Sequence, residues 1–212
     1  HNTMYNQHFG LAQYPFSLTP NTRFFLKLPS HQEAFAQLVR SLGVNGEIAK
    51  LTGEVGTGKT MLCRKVLHAL DAHRDKFLTA YIPHPILSEE GILLAIAQEL
   101  DLAADDEDSF CTLLKLVSGR IRELAEQGRR IVLFIDEAQA MPEESLKAIF
   151  LLTQVELPPE RKMQVVLFGQ PELDALLQQP ALSQLQEHVN YSYVLPPPGP
   201  CRYRDLYPAP TQ

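Results

Sequence analysis

The stretch Gly53-Glu54-Val55-Gly56-Thr57-Gly58-Lys59-Thr60 fits G-x-x-x-x-G-K-[ST], the pattern of a loop that wraps phosphate groups. Residues 47–52 before it read as a short strand, and residues 61–70 after it read as a helix. In that setting the three glycines let the backbone curl, so that successive N–H groups face one anion-binding hollow. The helix N-terminus adds its partial positive charge beneath the same phosphates. The pattern assigns Lys59 to the β- and γ-phosphates and the Thr60 hydroxyl to Mg2+. The expected nucleotide-contacting set is Gly53, Glu54, Val55, Gly56, Thr57, Gly58, Lys59, Thr60 and Met61, the last opening the helix. The plain alternative is a glycine-rich turn with a chance Lys-Thr, which leaves the strand–loop–helix order unexplained.

A second stretch supports the first. Residues 129–135, Arg-Arg-Ile-Val-Leu-Phe-Ile, form an unalternating apolar run, as suits a central parallel strand covered on both faces. The run delivers Asp136-Glu137 to its C-terminal end, where open α/β sheets bind ligands. Asp136 is expected to hold Mg2+ through water, and Glu137 to polarise the attacking water. Alone, two acids after a strand are an ordinary strand exit. Placed after a phosphate loop, with a strand and two helices between, they read as the second nucleotide motif. Residues 164–169 form the next strand, with Gln170 at its tip. There it can hydrogen-bond a γ-phosphate or the attacking water, or simply serve the turn.

The remaining chain fills in an alternating α/β pattern. Residues 4–29 are an aromatic, proline-rich arm, expected either to pack its rings on the domain or to cover a bound base. Ser30 and Glu33 have capping-box spacing before an amphipathic helix. Residues 77–82 read as a strand, and Ser88 caps a helix running to about Leu100. Residues 101–108 are an acidic loop read as solvated surface. A helix spans 110–127 and ends near Gly128, another spans 142–156, and short helices cover 171–179 and 182–187. Residues 189–195 alternate as a fifth strand.

At 212 residues, 45% hydrophobic and 21% charged, the chain has an ordinary globular composition. The net charge of −6 gives no support to a nucleic-acid-binding surface. The cysteines Cys63, Cys111 and Cys201 are far apart and form no C-x-x-C pair, so a reducing cytoplasm is the simple expectation. No apolar run is long enough to span a bilayer, and no secretory leader is read at the start. Residues 1–3, ahead of Met4, look like a cloning remnant. None of the seven histidines has ligand spacing, and all are read as structural or exposed.

Five strands alternating with helices, the phosphate loop after the first and Asp-Glu after the third, describe a P-loop ATPase core. An added strand between those motifs is the arrangement of the AAA+ class. The lead-in F-G-L…P-F-S-L-T-P-N-T-R-F-F resembles the ExeA/GspA group of AAA+ ATPases, which serve bacterial secretion and pilus assembly. So do L-P-S-H-Q-E-A, T-G-E-V-G-T-G-K-T-M-L-C-R-K, F-I-D-E-A-Q-A and F-G-Q-P-E-L-D. The resemblance implies a three-layer αβα domain over residues 30–195, with a parallel sheet ordered 5-1-4-3-2. It also implies Mg2+-dependent ATP hydrolysis with ADP as product, Lys59, Glu137 and Gln170 as catalytic residues, and Thr60 and Asp136 at the metal. Gln170 matches the group's first sensor residue. The implied partners are pilus or secretion assembly proteins at the inner membrane and further copies of the chain, with no nucleic acid.

Two departures qualify that picture. Relatives carry Q-R-[IV] before the fifth strand, where an arginine finger reaches a neighbouring subunit; this chain has Gln186-Glu187-His188-Val189. Histidine is shorter and lacks the fork of donors, so weak hydrolysis is expected. Residues 196–212 form a proline-rich tail where the class continues into a helical lid. The tail is either a polyproline-like linker or the out-of-frame start of that lid. One permitted back-translation from Pro198, read one base later, gives L-G-P-A-D-I-E-T-Y-I-Q-H-R-L, as the resemblance implies. A nucleotide-binding switch with little turnover, or a DNA-linked transposition helper, are the competing functional readings.

Overall fold

The computed structural model describes residues 29–43 and 47–197. The arm over 4–28, the first three residues, Cys201 and the tail from 198 onward lie outside the described residues.

A strand buried on both faces is rich in apolar residues at consecutive positions, and three segments are of this kind, each with one or two polar residues among them. Ile48–Thr52 (β1), Arg130–Ile135 (β3) and Gln164–Gly169 (β4) are buried at every position. Phe77–Ile82 (β2) and Val189–Val194 (β5) flank them, and β5 alternates half-buried and exposed residues as an edge strand should. The five strands run parallel in the order β2-β3-β4-β1-β5, the expected order read from the other edge.

Helices cover both faces. On one side lie Pro29–Gly43 (α1) and Lys59–Asp71 (α2), packed on Ala49, Leu51, Val132, Phe134, Val166 and Phe168. The rings of Phe134 and Phe168 stack there with centroids 6.5 Å apart. On the other side lie Glu89–Glu99 (α3), Phe110–Glu126 (α4) and Glu143–Thr153 (α5), over Ile131, Leu133, Ile135, Val165 and Leu167. Alternate residues of one strand thus serve opposite cores, which is the two-residue period of a β-strand. The short helices Glu172–Leu177 (α6) and Ser183–Glu187 (α7) lead from β4 to β5.

The helix ends have local causes. Ser88 and Ser109 cap α3 and α4 by accepting from the N–H groups of Gly91 and Thr112, at 3.0 and 3.2 Å. Gly128, at φ +73°, closes α4: its N–H bonds Ala125 O at 3.0 Å and that of Arg129 bonds Leu124 O at 2.8 Å. Those paired bonds satisfy the last carbonyls through a left-handed residue that only glycine adopts without strain.

Two expectations are corrected. The first helix begins at Pro29, so Ser30 lies in its first turn, and its hydroxyl meets the His31 ring at 3.1 Å. The helix expected over 142–156 stops at Thr153, whose hydroxyl bonds the Phe150 carbonyl at 2.6 Å. That short-range bond competes with continued helix. In the acidic loop, the carboxylates of Asp105 and Asp108 accept from loop backbone N–H groups.

Candidate functional site

Parallel strands present all their C-terminal ends on one side, and the chemistry-bearing residues hang from three adjacent ends. Beyond β1, the loop chain turns at Gly56 and Gly58, whose φ values of +81° and +89° glycine adopts at little cost. Gly53 is needed for a different reason: a Cβ there would come within 2.6 Å of Thr57 Oγ1 and 3.1 Å of the Leu195 carbonyl oxygen. The loop is braced internally, with the Thr57 N–H and hydroxyl both donating to the Glu54 carbonyl at 3.2 and 2.7 Å.

Lys59, the first residue of α2, is buried and curls back so that Nζ donates to the carbonyls of Gly53 and Glu54 at 2.6 and 2.8 Å. Burial lowers its pKa, while the carboxylates of Glu137, Asp136 and Glu54 oppose that shift. Thr60 follows, and its hydroxyl donates to Asp136 Oδ2 at 2.8 Å. Asp136 lies at the end of β3 and is itself buried; its Oδ1 accepts the Glu137 N–H at 2.9 Å. Thr60 and Asp136, 76 residues apart in sequence, therefore meet beside the phosphate loop.

Glu137 adopts a left-handed backbone, φ 54° and ψ 38°, an uncommon conformation for a non-glycine residue. From that turn it lines an open cleft of about 330 Å3 together with Gly56, Gly58, Lys59, Thr60 and Gln170. Val55 and Met61 line the same cleft and are exposed apolar residues. Gln170, beyond β4, stands between the other two strand ends because β4 lies between β3 and β1. All the residues expected at the site thus belong to the phosphate loop or the strand tips around one cleft.

The contacts of three residues escaped the sequence. The buried His31 on α1 places Nε2 2.6 Å from the Thr57 carbonyl oxygen. The Tyr81 hydroxyl, on β2, donates to Asp136 Oδ2 at 3.4 Å, and burial pushes its pKa up to about 12. Gln139, in the single turn after Glu137, touches both Glu137 and Gln170. The only advance signals were His31 in the L-P-S-H-Q-E-A stretch and Gln139 in D-E-A-Q.

His188, at the position directly before β5, is engaged. Its Nδ1 pairs with the Glu47 carboxylate, its ring packs edge-on to Phe150 at 5.1 Å, and Gln154 and Lys162 reach the same carboxylate. Glu47 precedes β1 and the phosphate loop follows it, so His188 sits at the opposite end of the sheet from the cleft. A five-residue strand separates them by about 15 Å. The other histidines expected to be peripheral include His68 and His84, both exposed.

The donor set fits a hard divalent cation: a hydroxyl and a carboxylate, both oxygen ligands, at the mouth of a phosphate-binding loop. The parallel sheet, the glycine loop and the acidic strand end together define a P-loop ATPase. The sequence profile of a family described as an AAA domain matches residues 44–177, and the chain belongs to that family. It is 39% identical over 194 residues to general secretion pathway protein A of Aeromonas hydrophila, covering 92% of this chain and 35% of that protein. The chain therefore spans about a third of that relative's length.

Solved structures agree on the fold. The ADP form of the Aeropyrum pernix ORC2 protein aligns with TM-score 0.59 at 17% identity, covering 90% of this chain and 52% of that one. CDC6P from Pyrobaculum aerophilum aligns with TM-score 0.60 at 22% identity, covering 90% and 48%.

Proposed function

We propose that this chain binds Mg2+-ATP in the cleft and hydrolyses it to ADP, using the nucleotide cycle to support assembly of a secretion or pilus apparatus. The observation carrying the chemical half is the convergence of Thr60, Asp136, Glu137 and Gln170 on one phosphate loop. The cellular half is supported by the likeness to general secretion pathway protein A. The resemblance noted in the sequence points more narrowly to MshM and the mannose-sensitive haemagglutinin type IV pilus. Its partners are then assembly proteins at the inner membrane and further copies of the chain. Among the described residues, no helix is long and apolar enough to cross a membrane.

Each role follows from position. The N–H groups of the loop and the ammonium of Lys59 bind the phosphates, with Lys59 leaving its carbonyl partners for a stronger charged one. Thr60 and Asp136 would hold Mg2+, which supplies charge neutralisation across the β- and γ-phosphates when bound. Glu137 orients the attacking water and takes its proton, and the Gln170 side chain stabilises charge on the γ-phosphate. The test is phosphate release beside nucleotide titration: Glu137→Gln is expected to abolish turnover while retaining ATP affinity, and Lys59→Ala to weaken both. Turnover unchanged by Glu137→Gln sinks the hydrolytic reading.

One observation favours a second reading, a nucleotide-dependent switch with little turnover. His188 is tied to Glu47 instead of presenting a free cation to a neighbour. Tight binding with negligible phosphate release at every chain concentration, together with a rise on His188→Arg, supports the switch.

A further inference from the structure

Gln139 follows the catalytic-candidate acid by two residues, in the turn Ala138–Ala140, and its carboxamide is used at both ends. Nε2 donates to Glu137 Oε2 at 2.6 Å, and Oε1 accepts the backbone N–H of Gln170 at 3.0 Å. A carboxylate can only accept and a backbone N–H can only donate, and a primary amide satisfies both from two separate atoms. A third feature supports the bridge from the other strand. A Cβ on Gly169 would lie 3.0 Å from Gln139 Oε1, so glycine at the β4 tip leaves room for the amide. The two strand ends are neighbours in the sheet but are joined here by a side chain, beyond the last backbone pair, Ile135 with Leu167.

We propose that Gln139 is a positioning residue that sets the carboxylate of Glu137 and couples its orientation to the tip of β4. The inference rests on the hydrolytic reading above. Gln139 does not reach the phosphates; it acts through Glu137. A displacement of the β4 tip would pass from the Gln170 N–H through the Gln139 amide to the Glu137 carboxylate, which the amide holds in a set orientation. The device needs both polar ends and their spacing. Asparagine is one methylene too short, and methionine fills the volume without donating or accepting.

The experiment compares Gln139→Met with the unaltered chain. Expected is a fall in kcat of about tenfold or more, with KM for ATP and the affinity for ADP within about twofold. A lowered melting temperature with kcat intact overturns the proposal. Amide NMR reads the bridge without turnover: Glu137→Ala is expected to move the Gln170 N–H resonance in the wild-type chain and not in Gln139→Met. Equal shifts in both backgrounds also overturn it. A wild-type chain without turnover counts against the hydrolytic reading, and the NMR comparison still decides the bridge.

Discussion

His31 Nε2 stands 2.6 Å from the carbonyl oxygen of Thr57, so the first helix holds the phosphate loop directly. A carbonyl only accepts, so Nε2 carries the proton and donates. The peptide is planar and trans, and fixing the Thr57 carbonyl fixes the Gly58 N–H in the opposite direction. His31→Ala is expected to weaken ADP binding about tenfold and to cost about 1–3 kcal/mol of stability by leaving the carbonyl unpaired. His31→Gln, which keeps a donor, is expected to recover part of both. Titration beside thermal melting checks this, and a lowered melting temperature with unchanged affinity reduces His31 to a packing role.

Asp136 gathers donors from Thr60, Tyr81 and the Glu137 backbone, and removing its charge should be felt through the metal. Asp136→Asn is expected to lower ATP affinity about tenfold or more in magnesium. In excess EDTA the variant and the wild type should bind alike. An equal loss with and without magnesium assigns Asp136 to loop structure alone.

Lys50 is a buried cation on β1, paired with Asp174 on α6, just beyond Gln170. Asp174→Asn strands that charge and is expected to cost about 2 kcal/mol in urea unfolding, between the values for exposed and fully buried pairs. Adding Lys50→Met should return part of the loss. Additive losses in the double variant mean that the two side chains do not depend on each other.

Cys63 is buried and Cys111 exposed, and burial raises the Cys63 pKa further above the usual thiol range. Iodoacetamide at about pH 8 is expected to alkylate Cys111 readily and Cys63 only under denaturing conditions. Peptide mass mapping reads both positions, and labelling of native Cys63 at the rate of Cys111 contradicts the packing of α2 on the sheet.

The legible parts of this fold were those with a local signature. Gln164–Gly169 was readable to the residue because a doubly covered strand admits few polar positions, and Gly53 to Thr60 because its backbone conformation demands glycine at fixed places. The sheet order came with the class of fold those motifs imply. What the sequence could not yield were contacts between distant residues. His31 meets Thr57 across 26 positions, and Tyr81 meets Asp136 across 55. Neither histidine nor tyrosine has a spacing that announces such a partner. Gln139 was visible within D-E-A-Q, but only the juxtaposition of β3 and β4 gives its amide two ends to join. Helix boundaries failed where a hydroxyl bonded its own helix, as at Thr153.

The order β3-β4-β1 has one more consequence. Neighbouring strands are held about 4.8 Å apart by backbone hydrogen bonds, so the acid pair and the phosphate loop hang from supports about 10 Å apart, with Gln170 midway. The sheet is a ruler, and the width of the cleft is graduated in hydrogen-bonded strand spacings. Side chains at the mouth can be exchanged, but the gauge of the site cannot be altered without unpairing a strand.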